Sequence, residues 1–177
     1  MGVLSLGVLD VGYSNANSGG KETTTFAVAK ILEQNYHIMA TFFALRQQKI
    51  ADYLADDMAA AFQDRMNGRT VGKNPLADAE QQIETEFRAF IFANEMNKIS
   101  TALTGTPISA AAARGVNKRK LHPYAGKNKA RPAFVDTGLY VESFRAWFNP
   151  GGTESAGARP AINIALAQQR RMMDLGL

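Results

Sequence analysis

The sequence predicts an α+β protein, with long helices packed on a small, mostly antiparallel sheet and with extended N- and C-terminal arms. Three observations lead to this prediction. Residues 3–11 form a β-permissive apolar run, residues 25–99 carry apolar side chains mostly at helical spacing, and residues 144–148 alternate as a strand does. Helical and strand segments that are separated along a chain in this way are typical of α+β folds.

The length of 177 residues suits one domain. We assign residues 1–150 to a single α+β domain, of which residues 1–22 form an N-terminal strand and arm. Residues 151–177 are predicted to be a Gly-rich linker to residue 159 and then a C-terminal helix. Pro160 suits the start of that helix, and one stripe would carry Ile162, Ala165, Leu166, Gln169 and Met173.

The helical region leaves one question open. Residues 25–66 are one helix, roughly 60 Å long at about 1.5 Å per residue, or a helix with a kink near Asn35 or Gln47, or a strand over residues 23–31 followed by a helix. A further helix is predicted over residues 75–99, with Asn74 as its N-cap. Its buried stripe is expected to contain Ile83, Phe87, Phe90, Ile91 and Met96. A short helix is predicted over residues 107–114.

The charge of the chain is concentrated in one segment. The net charge is +4, and residues 114–131 contribute seven positive charges and no acid, so the rest of the chain sums to −3. A run of like charges is usually a solvated loop, but the seven uncompensated cations of this basic segment also suggest an anionic neighbour, either DNA or an acidic protein face. The candidate contact residues are Lys118, Arg119, Lys120, Lys127, Lys129 and Arg131.

The sequence contains no pattern that supports a metal site, a nucleotide site or a membrane span. Glu80, Glu84 and Glu95 share a predicted helix, but a di-metal carboxylate site needs Glu-x-x-His patterns, and neither His37 nor His122 follows a Glu at that spacing. The stretch before Thr25 lacks the glycine and hydroxyl spacing of a phosphate-binding loop, and ends instead at a threonine helix cap. The sequence has no apolar run long enough to span a membrane. We therefore expect no cofactor, no metal and no membrane contact.

Asp136-Thr137-Gly138 is the tripeptide that carries the catalytic carboxylate in aspartic proteases. A chain this short would need a homodimer to supply the second carboxylate, and Leu139 stands where proteases place Ser or Ala. The alternative is a turn, in which Asp136 and Thr137 accept backbone N–H groups and Gly138 permits either a positive φ or a close backbone contact. We expect that turn, with residues 132–135 as an extended approach and no enzymatic reaction.

After the turn, a short helical segment through Ser143 leads into the predicted strand. Phe144, Ala146 and Phe148 are expected to face the core. Trp147 points the other way, and the sequence leaves open whether it contacts a second subunit or is covered by the long helical region of residues 25–66.

The stretch RPAFVDTGLYVESFRAWF, residues 131–148, resembles the signature of minor tail-completion and neck proteins of tailed bacteriophages. The residues that carry the resemblance are Thr137, Gly138, Leu139 and Ser143, followed by an apolar strand. The resemblance covers about 30 residues at the level of motif and the rest only by order of elements.

This resemblance implies a structural role. Such proteins are small α+β subunits that form a ring, often a hexamer, at the neck or the top of the tail, where head and tail join. The expected partners are further copies of the chain, neighbouring neck and tail proteins and passing DNA. The expected location is the virion, after assembly in the host cytoplasm. The alternatives are a non-specific nucleic-acid-binding module that uses the basic segment and, remotely, a homodimeric aspartic protease that uses Asp136.

Overall fold

A computed structural model describes residues 3–13, 24–109, 132–135, 138–149 and 158–165. It contains three strands and five helices in these residues, which confirms the predicted α+β class. In chain order the elements are β1 (Val3–Leu9), α1 (Thr25–Tyr36), α2 (Ile38–Met66), α3 (Ala77–Phe92), α4 (Glu95–Thr104), α5 (Leu139–Ser143), β2 (Phe144–Asn149) and β3 (Ala158–Ala165). Among the described residues, no helix combines the length and the apolar character that crossing a membrane requires.

The sheet is antiparallel throughout, and β1 is its central strand, between β2 and β3. Leu4 of β1 lies opposite Phe148 of β2, and Ser5 lies opposite Trp147. The side chains of β1 are buried on both faces, since Leu4 and Leu6 are fully buried and Ser5 is 6% exposed. The predicted N-terminal strand is therefore confirmed, and it holds the sheet together.

The predicted C-terminal helix is wrong over residues 160–165, and the predicted linker is wrong over residues 158–159, because both belong to β3. In this segment Ile162 and Ile164 stand on either side of Asn163, which is the two-residue period of a strand. Pairing with β1 satisfies backbone groups that a strand edge leaves open. Pro160 is accommodated because β3 is an edge strand and its register with β1 shifts between Leu6 and Gly7. Residues 151–157 and 166–177 lie outside the described residues.

Residues 25–66 form two helices, which settles the question that the sequence left open. The break is at His37, whose φ of 49° is left-handed, whereas Gln47 lies inside α2. The carboxylate of Glu33 accepts the N–H groups of Met39 at 2.8 Å and Ala40 at 3.1 Å. Glu33 therefore caps the first turn of α2, where N–H groups have no partner within the helix.

Thr24 and Thr25 fix the start of α1. The hydroxyl of Thr24 accepts the N–H of Ala27 at 3.2 Å, which confirms the threonine cap. Thr25 is fully buried, and its hydroxyl donates to the carbonyl of Leu9 and accepts the N–H of Val11. This side chain therefore ties the end of β1 to the start of α1.

The prediction of one helix over residues 75–99 is wrong, because the chain breaks at Asn94 into α3 and α4. Asn94 has a φ of 57°. Asn74 still organises the entry, since its Oδ1 accepts the N–H of Leu76 at 3.2 Å. The expected stripe is confirmed in full, because all five side chains are buried: Ile83, Phe87, Phe90, Ile91 and Met96.

The short helix predicted from residue 107 does not form over residues 107–109. Helix α4 ends at Thr104, and its C-cap residue Gly105 has a φ of 70°. Beyond it the N–H of Ile108 is bonded to the side chain of Asn97 instead of to a helical carbonyl. Residues 110–114 lie outside the described residues.

The chain divides into two compact units. The first comprises Met1–Thr85 and Ser143–Leu177, and its core includes an edge-to-face contact of Phe42 with Phe144, at 6.4 Å between ring centroids. The second comprises Glu86–Glu142. Its core includes an edge-to-face contact of Phe87 with Tyr140, at 6.2 Å.

Candidate functional site

The candidate site is the motif segment that carries the predicted turn and its strand. Gly138 has a φ of 82°, and a Cβ at this position would meet only the Glu142 side chain, at 3.6 Å. The conformation, not the available space, therefore requires glycine here. The carbonyl of Gly138 accepts the N–H of Glu142 at 3.0 Å, which closes the first turn of α5.

Helix α5 is short and mostly buried. Tyr140 is 4% exposed, Val141 is fully buried and Ser143 is 5% exposed. The strand β2 follows directly at Phe144. The predicted order of Gly138, a short helix with Leu139 and Ser143, and an apolar strand is therefore present.

The approach to the turn differs from the prediction. Instead of an extended segment, residues 132–135 form a turn in which the N–H of Val135 reaches the carbonyl of Pro132 at 3.4 Å. Phe134 has a φ of 67°, which is unusual for a bulky side chain. Phe134 and Val135 are half-buried, and Ala133 is the residue that is buried, at 2% exposed. Asp136 and Thr137 lie outside the described residues.

The burial pattern of β2 departs from strict alternation. Phe144 is fully buried and Ala146 is 4% exposed, as expected, but Phe148 is only half-buried. Trp147 is 7% exposed within its own chain. Trp147 is therefore covered by residues of its own chain, and both faces of this part of β2 are buried.

The outer edge of β2 is covered by two carboxylates of α3. Glu80 accepts the N–H of Phe148 at 2.8 Å through one oxygen and the side-chain amide of Asn74 at 2.7 Å through the other. Glu84 lies 3.7 Å from the guanidinium of Arg145. One helix face therefore supplies an acceptor and an ion pair along the strand edge.

These contacts also give Glu80 and Glu84 a role that differs from metal binding. The described residues contain no group of three His, Cys, Asp or Glu side chains placed to hold a metal ion. The sequence did not predict that the two glutamates bind the edge of β2, because only the fold brings residue 148 beside residue 80.

The basic segment, residues 114–131, lies outside the described residues, and with it Lys118, Arg119, Lys120, Lys127, Lys129 and Arg131. The residues on either side of it are described. Asn97 Oδ1 accepts the N–H of Ile108 at 3.0 Å, and Asn94 Oδ1 accepts the N–H of Ala133 at 2.9 Å.

Asn94 and Asn97 stand three residues apart at the start of α4, so they lie on one side of the helix. The chain that leaves α4 through Ile108 and the chain that returns through Ala133 are thus held by neighbouring side chains. We call this pair of contacts the asparagine anchor. The sequence signal for it was the pair of asparagines inside an otherwise helical pattern, where asparagine favours caps and turns.

No family model, curated protein or solved structure matches this chain.

Proposed function

We propose that the chain is a structural virion protein of a tailed bacteriophage, a ring-forming subunit of the neck or tail-completion region that joins head and tail. The observation that carries the proposal is the motif segment. It combines a positive-φ glycine at Gly138, a short helix over Leu139–Ser143 and the apolar strand Phe144–Asn149. This is the order of features in the signature that the sequence resembles.

The asparagine anchor gives the proposal a second support. It holds both ends of the stretch that contains the basic segment, so this stretch begins and ends at one place on α4. A cationic segment held at both ends suits contact with an acidic face of a neighbouring subunit, because opposite charges speed docking. It also suits a channel through which DNA passes, where phosphate contacts need no base recognition.

The mechanism on this proposal is assembly, without a chemical step. A closed ring repeats one heterologous interface by rotation until the last copy meets the first. The basic segment would then contribute its charges once per copy, as a band around the ring.

The test is the assembly state of the purified protein, alone and mixed with candidate tail proteins, by mass photometry and negative-stain microscopy. We expect closed rings of uniform copy number, alone or on the partner. A protein that forms no ring under either condition contradicts the proposal. A peptide-cleavage assay at acid pH is run on the same sample, and activity that Asp136→Asn abolishes would contradict it as well.

The second candidate is a non-specific nucleic-acid-binding module, which the seven cations of residues 114–131 favour. The segment has one aromatic residue, Tyr124, so it lacks the repeated stacking platforms of single-strand binders. On this alternative the protein is a monomer that binds DNA, and its affinity falls steeply with salt through counterion release.

A further inference from the structure

The C-terminal half of α2 carries an exposed apolar stripe. Met58, Phe62 and Met66 are 61%, 67% and 72% exposed, and they recur every four residues. At about 100° per residue, three exposed alanines fall on the same face of the helix. The α2 stripe is therefore defined by Ala51, Ala55, Met58, Ala59, Phe62 and Met66.

The orientation of α2 about its axis is fixed by buried side chains and by a hydrogen bond to α3. Ile50 and Leu54 are buried, at 2% and 7% exposed. The carboxylate of Asp57 accepts the N–H of Ala79 at 2.8 Å, which ties this part of α2 to the start of α3. At about 100° per residue, the stripe is centred roughly 120° around the helix from these contacts, and the six residues that define it are uncharged.

We propose that the α2 stripe is a self-association surface, which pairs antiparallel with the α2 stripe of a second copy of this chain. The order of large and small side chains along the stripe supports this antiparallel pairing. With a two-fold axis between positions 56 and 57, Phe62 of one copy lies opposite Ala51 of the other. In the same register Met58 lies opposite Ala55.

Such large-to-small pairing lets two helices interdigitate at the usual separation of about 8–10 Å. A parallel pair in register would instead place Phe62 against Phe62 and alanine against alanine. The stripe also follows the alternating spacing of three and four residues, from Ala51 through Ala55 and Met58 to Phe62, which is that of a helical packing seam.

The exposed area sets the strength of the contact. At about 200 Å² for a large side chain, the three large residues leave about 400 Å² of apolar surface on each copy. With the alanines, a pair would bury roughly 1,200 Å², the lower bound for specific interfaces. We therefore expect a reversible dimer with a dissociation constant on the order of micromolar.

This inference does not rest on the proposed ring. A two-fold contact uses the same patch on both copies, whereas neighbours around a ring meet through two different patches. Loss of one contact therefore leaves the other in place, and the two proposals fail separately.

The absence of cysteine from the sequence allows single-cysteine mapping. In the proposed register, two copies of Ala55→Cys are offset by about 4.5 Å along the helix, and two copies of Ala44→Cys by about 37 Å. We expect Ala55→Cys to form a covalent dimer on mild oxidation or with a short bis-maleimide. Ala44→Cys, also exposed on α2, is the matched control and should stay monomeric. Equal cross-linking at both positions would overturn the antiparallel register.

Sedimentation velocity over a concentration series measures the equilibrium. We expect Phe62→Asp to weaken dimerisation at least tenfold, with unchanged circular dichroism, and Met58→Lys to act likewise should Phe62→Asp fold poorly. Leu103→Asp is the control, because Leu103 is 80% exposed and lies outside the stripe. A wild-type protein that remains monomeric at 100-fold the expected dissociation constant would overturn the proposal, and so would equal weakening by Leu103→Asp.

Discussion

At the scale of single residues, left-handed backbone conformations mark the places where elements end. Among the described residues, three that are not glycine have a positive φ: His37, Asn94 and Phe134. His37 separates α1 from α2, and Asn94 separates α3 from α4. Such conformations cost free energy in L-residues and persist only where the surroundings compensate. At the first break, Glu33 compensates through its bonds to the start of α2. At the second, the asparagine anchor does so.

Gly138 provides the sharpest test at this scale. We expect Gly138→Ala to lower the free energy of unfolding by about 1–2 kcal/mol, because its φ of 82° is unfavourable for alanine. Urea denaturation followed by circular dichroism measures the change. Gly72→Ala is the control, since Gly72 has neither a positive φ nor a neighbour within 4 Å of an added Cβ. Equal effects of the two substitutions would show that φ at residue 138 is not restrictive.

Phe144 should be the most costly truncation in β2. It is fully buried and its ring meets Phe42 edge-on, so we expect Phe144→Ala to destabilise the protein by about 3–5 kcal/mol. Phe92→Ala serves as the comparison, because Phe92 is 54% exposed. Thermal unfolding measures both. A midpoint for Phe144→Ala that matches the wild type would contradict the burial of this ring.

At the scale of elements, α3 protects the outer edge of β2. An unpaired strand edge offers N–H and carbonyl groups to other chains and promotes aggregation. Here Glu80 accepts the N–H of Phe148, and Arg145 pairs with Glu84 beside it. The helix thus satisfies an edge donor and places charge along the strand. Both features discourage a further strand from pairing there.

Replacing Glu80 tests this protection. We expect Glu80→Ala to cost about 1–3 kcal/mol, because it leaves the N–H of Phe148 without its carboxylate acceptor. Glu80→Gln keeps an acceptor oxygen and should cost less. Hydrogen exchange of the Phe148 amide should accelerate most in Glu80→Ala. An exchange rate identical in the wild type and Glu80→Ala would contradict the role of this bond.

The asparagine anchor is tested by two substitutions at one position. Asn94→Gly keeps access to a positive φ but loses the oxygen that Ala133 donates to, so it should cost about 0.5–1.5 kcal/mol. Asn94→Ala also loses the left-handed preference and should cost about 1–2 kcal/mol more. Chemical denaturation measures both variants. Equal costs would indicate that the bond alone, and not the conformation, matters at this position.

At the scale of the whole molecule, the charges are unevenly divided. Seven cations lie in residues 114–131, and the remainder of the chain is net negative although the whole carries +4. An acidic body with one basic segment can present opposite charges to neighbouring copies or to a partner ring. Charge arranged in this way mainly raises association rates and sets orientation.

The triple replacement of Lys118, Arg119 and Lys120 by serine tests the basic segment. We expect an unchanged unfolding midpoint, because the sequence predicts a loop here and exposed loop charges contribute little to stability. On the proposed neck function, docking to a partner ring should slow, mainly through a lower on-rate, and this is measured by stopped-flow or biosensor kinetics at two salt concentrations. Tight, sequence-selective DNA binding near physiological salt, lost in the triple variant, would instead identify a DNA-recognition protein.

The sequence by itself determined the features that depend on short-range periodicity and local turn chemistry. It predicted β1, the buried stripe from Ile83 to Met96, the threonine cap before α1 and the conformation of Gly138. Each of these follows from neighbouring residues, because side-chain spacing fixes which face of an element is apolar and a turn fixes its own φ.

Tertiary structure alone decided where helices break and which segments pair. The apolar period continues across His37 and Asn94, so periodicity does not mark these breaks; the carboxylate of Glu33 stabilises the start of α2 after the first, and the N–H of Ala133, distant in sequence, binds Asn94 at the second. Ala158–Ala165 becomes a strand because β1 offers it an edge, although its spacing also suits a helix. Contacts between residues far apart in sequence supply free energy that local propensity does not contain, and they override it where the two disagree.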